Sequence, residues 1–257
     1  MRILTTHPYQ TPNAPPTAKN SSRSFMRFVA SHYLLPIWVL LFLFSNQVPA
    51  GTDPSEQILN AWLEKQAQVK SWSADVLQTR KLKTLVRPLE TIGRVWFAPP
   101  NRFRWQLGDP PRTIAIQTEE DLVVVYPRLK QVERYPRADV TDPSWRQVLA
   151  LLELGFPSDV ETFYARYELI SVTRSEKIWQ FELKPAAKEA RRLLERVLIE
   201  VSADDLVLSA TELVFPDGSI MRNQFSGHRL NQEIDKTLFE IPMDAEYQVV
   251  YPLRQKN

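Results

Sequence analysis

The residues of this sequence best suited to a function are apolar and aromatic side chains within residues 93–107. Near the end of that segment three apolar residues alternate with three polar ones: Phe103, Trp105 and Leu107 with Arg102, Arg104 and Gln106. A period of two places the two sets on opposite faces of a strand, one apolar and one polar. Such an apolar face either packs on an ordinary core or lines a cavity for an apolar ligand, and the spacing allows both.

Catalytic chemistry has little support in the residues. The chain has no cysteine, and His228 is the single histidine after residue 50. It contains no Gly-x-Ser-x-Gly elbow, paired histidine spacing or glycine-rich phosphate loop. The run Glu119-Glu120-Asp121 is typical of a solvated turn, and we expect His228 at the surface or at a sheet edge. We therefore expect a protein that is not an enzyme and that needs no cofactor or metal.

The first fifty residues indicate export. They contain four basic residues, no acidic residue, an apolar run over residues 34–44 and the ending Val48-Pro49-Ala50. This order is that of a secretory signal, and the run is shorter than the roughly 20 apolar residues of a membrane span. We expect cleavage after Ala50 and a periplasmic location, with Met26 as an alternative start. A retained N-terminal anchor is the other interpretation.

Removal of residues 1–50 would change the charge of the chain. Four of its 32 basic residues lie there, so residues 51–257 hold 28 Lys and Arg against 30 Asp and Glu, and the net charge goes from +2 to −2. These basic residues are interspersed with acidic ones, which argues against nucleic acid as a partner. The remaining 207 residues suit one domain with a sizeable core, and we expect a monomer.

Two helical sections are predicted after the signal. The first has Asp53 as N-cap and Pro54 at its first position, and it ends near Lys70. The second begins at Asp142-Pro143 and ends at Gly155, and a short helix over residues 158–164 follows it. Residues 188–194 are predicted as either a helical turn or a loop.

The remaining segments are predicted as strands because their apolar residues alternate and prolines or turns bound them. The predicted strands cover residues 72–80, 92–97, 102–107, 113–117, 122–126, 131–135, 167–173, 178–184, 196–202, 207–215, 220–229 and 247–251. A twisted antiparallel sheet of this size curls or splits into two layers. We predict an α+β, mainly β fold: a curved antiparallel sheet forming a half-barrel, with a helical lid over a hydrophobic cavity. A filled sandwich is the alternative.

An ordered set of motifs resembles the outer-membrane lipoprotein carrier (LolA) family. The set comprises Trp62, Ala74-x-x-x-Gln78, Gly93-x-x-Trp96, Pro100-x-x-Phe103-x-Trp105, Pro111-x-x-Ile114 and Phe239-x-Ile-Pro242. The resemblance implies a cavity that carries lipoprotein acyl chains across the periplasm. It also implies two partners, an ATP-driven release complex in the inner membrane and a receptor at the outer membrane. A lipid-binding sensor, or a carrier of another lipid, would use the same cavity without lipoprotein transfer.

The resemblance assigns the cavity to aromatic and leucine side chains. Phe103 and Trp105 lie on the family's aromatic strand, and Trp96 and Trp72 are further candidates for the lining. The inward stripe of the lid is assigned to Trp145, Leu149 and Leu152. The family commonly has a basic residue before the proline of its aromatic strand, associated with lid gating, whereas this chain has Pro99 there.

Overall fold

The computed structural model describes residues 54–100, 102–136, 157 and 159–252, and this part of the chain contains twelve strands and three α-helices. The helices are α1 (Pro54–Ala67), α2 (Val160–Arg166) and α3 (Lys188–Arg191). The strands are β1 (Trp72–Lys81), β2 (Leu89–Ala98), β3 (Arg102–Leu107), β4 (Thr113–Gln117), β5 (Asp121–Tyr126), β6 (Gln131–Pro136), β7 (Tyr167–Arg174), β8 (Ile178–Pro185), β9 (Arg196–Ser202), β10 (Leu208–Val214), β11 (Ile220–Leu230) and β12 (Gln248–Val250).

All twelve strands form one curved, unclosed sheet in the order β12-β6-β5-β4-β3-β2-β1-β11-β10-β9-β8-β7. Neighbouring strands are antiparallel, except that β12 runs parallel to β6. The predicted mainly β fold with a curved antiparallel sheet is confirmed. The parallel pair was not predicted, because a three-residue strand at the end of a chain carries no signal for its direction.

Helix α1 packs one apolar face on the inner face of the sheet. Leu59, Trp62 and Leu63 are fully buried, and the Trp62 ring lies 5.9 Å from the Phe181 ring of β8 and 6.1 Å from the Phe163 ring of α2. Spacing of three and four residues puts these side chains on one side of the helix. The helix begins at Pro54 as predicted and ends at Ala67 rather than near Lys70.

A second apolar cluster lies on the outer face of the sheet. Its buried members are Ile114, Ile116, Val123, Val125 and Val132, and Ile241 and Tyr247 of the C-terminal segment pack against it. Strands β4 to β6 thus bury side chains on both faces, which explains the continuous apolar run within residues 122–125.

The outer face of β8 to β11 is polar instead. Arg222 bonds Glu200 at 2.7 Å and Arg196 bonds Glu182 at 2.9 Å, and all four side chains are partly exposed. The C-terminal segment, residues 231–252, contacts β3 and β6 and packs against the apolar cluster of β4 to β6.

The short helices follow local signals. The Asp159 carboxylate caps α2 by accepting a hydrogen bond from the Thr162 amide at 2.6 Å. Residues 188–191 form α3, which settles the ambiguity of that segment. The helical section predicted from Asp142 to Gly155 lies outside the described residues. None of the helices in the described part combines the length and apolar character that a membrane span requires.

Candidate functional site

Three neighbouring strands place the apolar residues of the predicted site in rows across the inner face of the sheet. One row runs Trp72, Phe97, Phe103, and the next runs Ala74, Val95, Trp105. A third row ends on Leu107 and contains Gly93 in β2. Because residues in register on adjacent strands point to the same face, Trp72, Phe103 and Trp105 share one apolar surface.

Ring contacts bind this surface together. The Trp105 ring lies 5.8 Å from that of Phe103 and 6.0 Å from that of Phe225 on β11, and the Trp72 ring lies 5.3 Å from Phe225. Such separations are typical of favourable aromatic pairs. Sequence reasoning did not single out Phe225, although it lies in a predicted strand. Phe225 reaches the aromatic surface because it pairs in register with Val76 of β1. That pairing joins distant parts of the chain, so no local sequence pattern indicates it.

Trp96 does not lie on this surface. It pairs in register with Arg104, and both point to the outer face. The guanidinium carbons of Arg94 and Arg104 each lie 5.9 Å from the Trp96 ring centre. A site on the inner face therefore excludes Trp96, because consecutive residues of a strand point to opposite faces. The remaining predicted lining residues, Trp145, Leu149 and Leu152, lie outside the described part of the chain.

The inner face has two halves that differ in how they are filled. Over β7 and β8, α1 and α2 pack on the sheet, and Trp62 belongs to a buried cluster that also includes Trp72 and Phe103. Over β3 to β6, neither of these helices makes a substantial contact within the described residues. Phe97, Trp105 and Leu107 lie at the boundary of the two halves and are only partly buried.

The inner face of β3 to β6 changes from apolar to polar along the rows. The row of Trp105 continues through Ala115 and Val124 to Glu133 on β6. Three neighbours donate hydrogen bonds to that carboxylate: Tyr135 at 2.8 Å, Gln131 at 3.2 Å and Tyr126 at 3.4 Å. Burial, together with the Glu133 charge, raises the pKa of both tyrosines, so they remain neutral donors. The surface thus joins an apolar part to a polar end, which suits an amphiphilic ligand.

His228 is partly buried, whereas its sequence context indicated a residue at the surface or at a sheet edge. Its ring lies 5.9 Å from the Trp72 ring, and its buried Nδ1 has no hydrogen-bond partner. Burial lowers the pKa of His228, and the charge of Asp205 opposes that effect. The register of β11 shifts between Asp75 and Ser73 of β1, and this irregularity brings the imidazole to the tryptophan. A bulge of this kind cannot be read from a two-residue period.

The outer face near Trp96 is not the wet surface that the alternation of β3 suggested. The Arg104 side chain is 8% exposed. Its guanidinium donates to the Leu238 carbonyl at 2.9 Å and to Gln106 Oε1 at 3.1 Å, and burial lowers its pKa. Parity correctly placed Arg104 opposite Phe103, but the C-terminal segment covers that face. The described residues contain no group of three or more His, Asp and Glu that could hold a metal ion.

Comparison with known proteins identifies the family. The model of the outer membrane lipoprotein carrier protein LolA family matches residues 67–242, which is most of the chain. The chain belongs to this LolA family. A search of curated proteins gave no match. The LolA match begins within α1 and ends after the C-terminal 3-10 turn, so it includes every strand of the sheet except β12.

Solved structures also resemble this LolA family member, at low identity. An uncharacterized conserved protein from Thermus thermophilus is 14% identical, covers 76% of this chain and 98% of its own, and has a TM-score of 0.47. A LolA superfamily protein from Nitrosomonas europaea is 13% identical, with 72% and 98% covered and a TM-score of 0.38. The matching chain in the MucA/MucB complex of Pseudomonas aeruginosa is 14% identical, covers 74% of this chain and 62% of its own, and has a TM-score of 0.41. None of the three decides the function of this chain.

Proposed function

We propose that this protein is a periplasmic carrier that binds the acyl chains of lipoproteins on the inner face of its sheet and transfers them from the inner to the outer membrane. The observation that carries the proposal is the apolar surface of Trp72, Phe103 and Trp105 on the inner face of the sheet, where the Trp105 side chain is only partly buried. Membership of the LolA family supports the same function.

The physical task explains why such a surface is needed. Exposing one acyl chain of about fifteen methylenes to water costs about 12 kcal/mol at roughly 0.8 kcal/mol per methylene. Unassisted passage through the periplasm is therefore negligible. An aromatic surface with a movable cover binds the chain without holding it permanently, because cover and cargo compete for the same apolar contacts.

The proposal assigns the cover to the predicted lid. Trp145, Leu149 and Leu152 would close over the apolar surface when the protein is empty and separate from it when a chain is bound. Cargo would be received from an ATP-driven complex in the inner membrane and passed to an outer-membrane receptor. The polar end at Glu133 would face the head of the cargo, because a polar head is solvated better beside a carboxylate, an amide and two phenols than beside aromatic rings.

Binding of a fluorescent fatty-acid analogue tests the surface. We expect Trp105→Glu and Phe103→Glu to abolish binding, because each places a carboxylate among aromatic rings. Trp96→Glu is the matched control: the same substitution on the neighbouring strand faces outward and leaves binding unchanged. Thermal unfolding of each variant separates lost binding from lost folding. Wild-type affinity in a folded Trp105→Glu variant would refute the proposed surface.

Transfer is tested separately from binding. A carrier releases lipoproteins from inner-membrane vesicles supplied with the release complex and ATP, and the released lipoprotein is detected in the supernatant. A sensor binds the fatty-acid analogue and releases nothing. Analogue binding without release would therefore leave the apolar site intact and refute the carrier function.

A further inference from the structure

The hairpin that joins β1 to β2 exposes several large aliphatic side chains to solvent. Val86 is 102% exposed, Leu85 is 45% exposed and Leu89 is 48% exposed. Isolated exposed aliphatic residues are ordinary, but here three of them lie within five residues of one hairpin. We call residues 80–92 the basic hairpin, because of the charges described below.

The basic hairpin extends beyond the neighbouring strands. Pairing between β2 and β3 begins only at Gly93 opposite Leu107, so the first four residues of β2 have no strand beside them on that side. Ile92, in this part, is 59% exposed. On the other side, β1 pairs with β11 as far as Lys81 opposite Ile220. The loop of residues 82–88 therefore lies past the last pairing on either side.

Positive charge surrounds the exposed aliphatic residues. The basic hairpin carries Arg80, Lys81, Lys83 and Arg87, and Glu90 is its single acidic residue. Within the described residues none of the four cations forms an ion pair. Asp217, in the turn between β10 and β11, is the carboxylate whose charge interacts with Lys83; hydrogen bonds from Ser219 and that charge lower the pKa of Asp217. The hairpin keeps a net positive charge.

We propose that the basic hairpin docks the protein on an anionic phospholipid surface. Leu85, Val86 and Leu89 enter the boundary between head groups and acyl chains, while the Lys and Arg side chains contact lipid phosphates. Exposed aliphatic residues flanked by an excess of positive charge match the two requirements of interfacial binding. This goes beyond the proposed carrier function, because it concerns a surface outside the cargo site and needs no bound acyl chain.

Co-sedimentation with vesicles tests the inference on protein purified from the periplasm. The probe vesicles contain phosphatidylglycerol and phosphatidylcholine at a ratio of 3:7, and the comparison vesicles contain phosphatidylcholine alone. We expect binding to the anionic vesicles that weakens with added salt. We expect Lys83→Glu/Arg87→Glu to weaken it at least tenfold, and Leu85→Ser/Val86→Asp to abolish it.

Two controls replace exposed residues away from the basic hairpin. Ile170→Asp changes a 52% exposed aliphatic residue of β7, and Lys177→Glu reverses a charge in the turn between β7 and β8. Both should bind anionic vesicles like the wild type. If the wild type does not bind anionic vesicles, or if the hairpin variants bind them equally well, the inference is refuted. Absence of vesicle binding would refute it even if the hairpin binds a protein partner. Fatty-acid binding by the hairpin variants stays at the wild-type level, which separates this result from failure of the carrier function.

Discussion

Arg104 joins the C-terminal segment to the sheet through a hydrogen bond to the Leu238 carbonyl. Among the described residues, no carboxylate forms an ion pair with its guanidinium. Its guanidinium has a carbonyl, an amide oxygen and the Trp96 ring as neighbours. Burying a cation is costly, and hydrogen bonds offset that cost only while every partner stays in place. The arrangement therefore makes Arg104 a sensitive point for attachment of residues 236–239.

We expect Arg104→Ala to lower the free energy of unfolding by about 1–3 kcal/mol, because the Leu238 carbonyl and Gln106 lose their donor. Amide hydrogen exchange in residues 236–240 should rise with it. Urea denaturation and exchange mass spectrometry measure the two effects. Arg102→Ala is the control: Arg102 stacks at 5.8 Å from the Phe239 ring centre and should cost less than about 1 kcal/mol. Equal effects of the two substitutions would contradict the role of Arg104.

His228 should make stability depend on pH near neutrality. Burial lowers its pKa in the fold, below the value of about 6.5 in the unfolded chain. The unfolded chain thus binds the proton first as the pH falls, so stability is fully present above pH 6.5 and decreases as the pH drops toward the lower folded pKa. We expect the urea concentration at which the wild type is half unfolded to decrease when the pH is lowered from 7.5 to 5.5.

The variant His228→Gln should show a smaller change over the same pH range, because the group that titrates there is gone. His228 is the one histidine of residues 51–257, and carboxylates titrate at lower pH. Equal decreases in the urea midpoint for the two proteins would show that His228 does not cause the pH dependence.

At the scale of elements, Gly93 allows β2 and β3 to pair closely. A Cβ atom at this position would lie 2.1 Å from the Gln106 carbonyl oxygen, which is backbone and cannot move aside alone. We expect Gly93→Ala to destabilise the protein by about 1–3 kcal/mol or more, with faster amide exchange in β2 and β3. In Gly218→Ala, where nothing lies within 4 Å and φ is +82°, faster exchange should be confined to the turn. Unchanged exchange in β2 and β3 of Gly93→Ala would contradict this.

The positions of the strands were largely predictable from the sequence. Which residues pack over each face of the sheet was not. The predicted strands over residues 102–107, 113–117 and 196–202 agree with β3, β4 and β9 at both ends. Parity also placed Phe103 and Trp105 on one face. What lies over a face depends on residues far away in the chain, as the burial of Arg104 by residues near Leu238 demonstrates. The strand faces agree with the prediction where period two holds, whereas Phe225 and the bulge near His228 could not be found from that period.

At the scale of the molecule, the proposed carrier function depends on removal of the first fifty residues. We expect the protein purified from the periplasm to begin at Gly51, because Val48-Pro49-Ala50 presents small residues at the cleavage site. Intact mass spectrometry measures this directly. A mass that includes residues 34–44 would show a retained N-terminal anchor, and transfer by free diffusion would then be excluded.

The two ends of the unclosed sheet bear on whether the molecules stay separate at high concentration. Exposed strand edges are templates on which copies polymerise. At one end the chain blocks its own edge with β12, three residues long and held beside Lys130, whose ammonium pairs with Asp244 at 3.0 Å. At the other end β7 has a register shift next to Ile170 and carries Glu168 and Arg174. A bulge and charges interrupt the regular ladder that a second copy would extend, so an open sheet can remain dispersed without closing into a barrel.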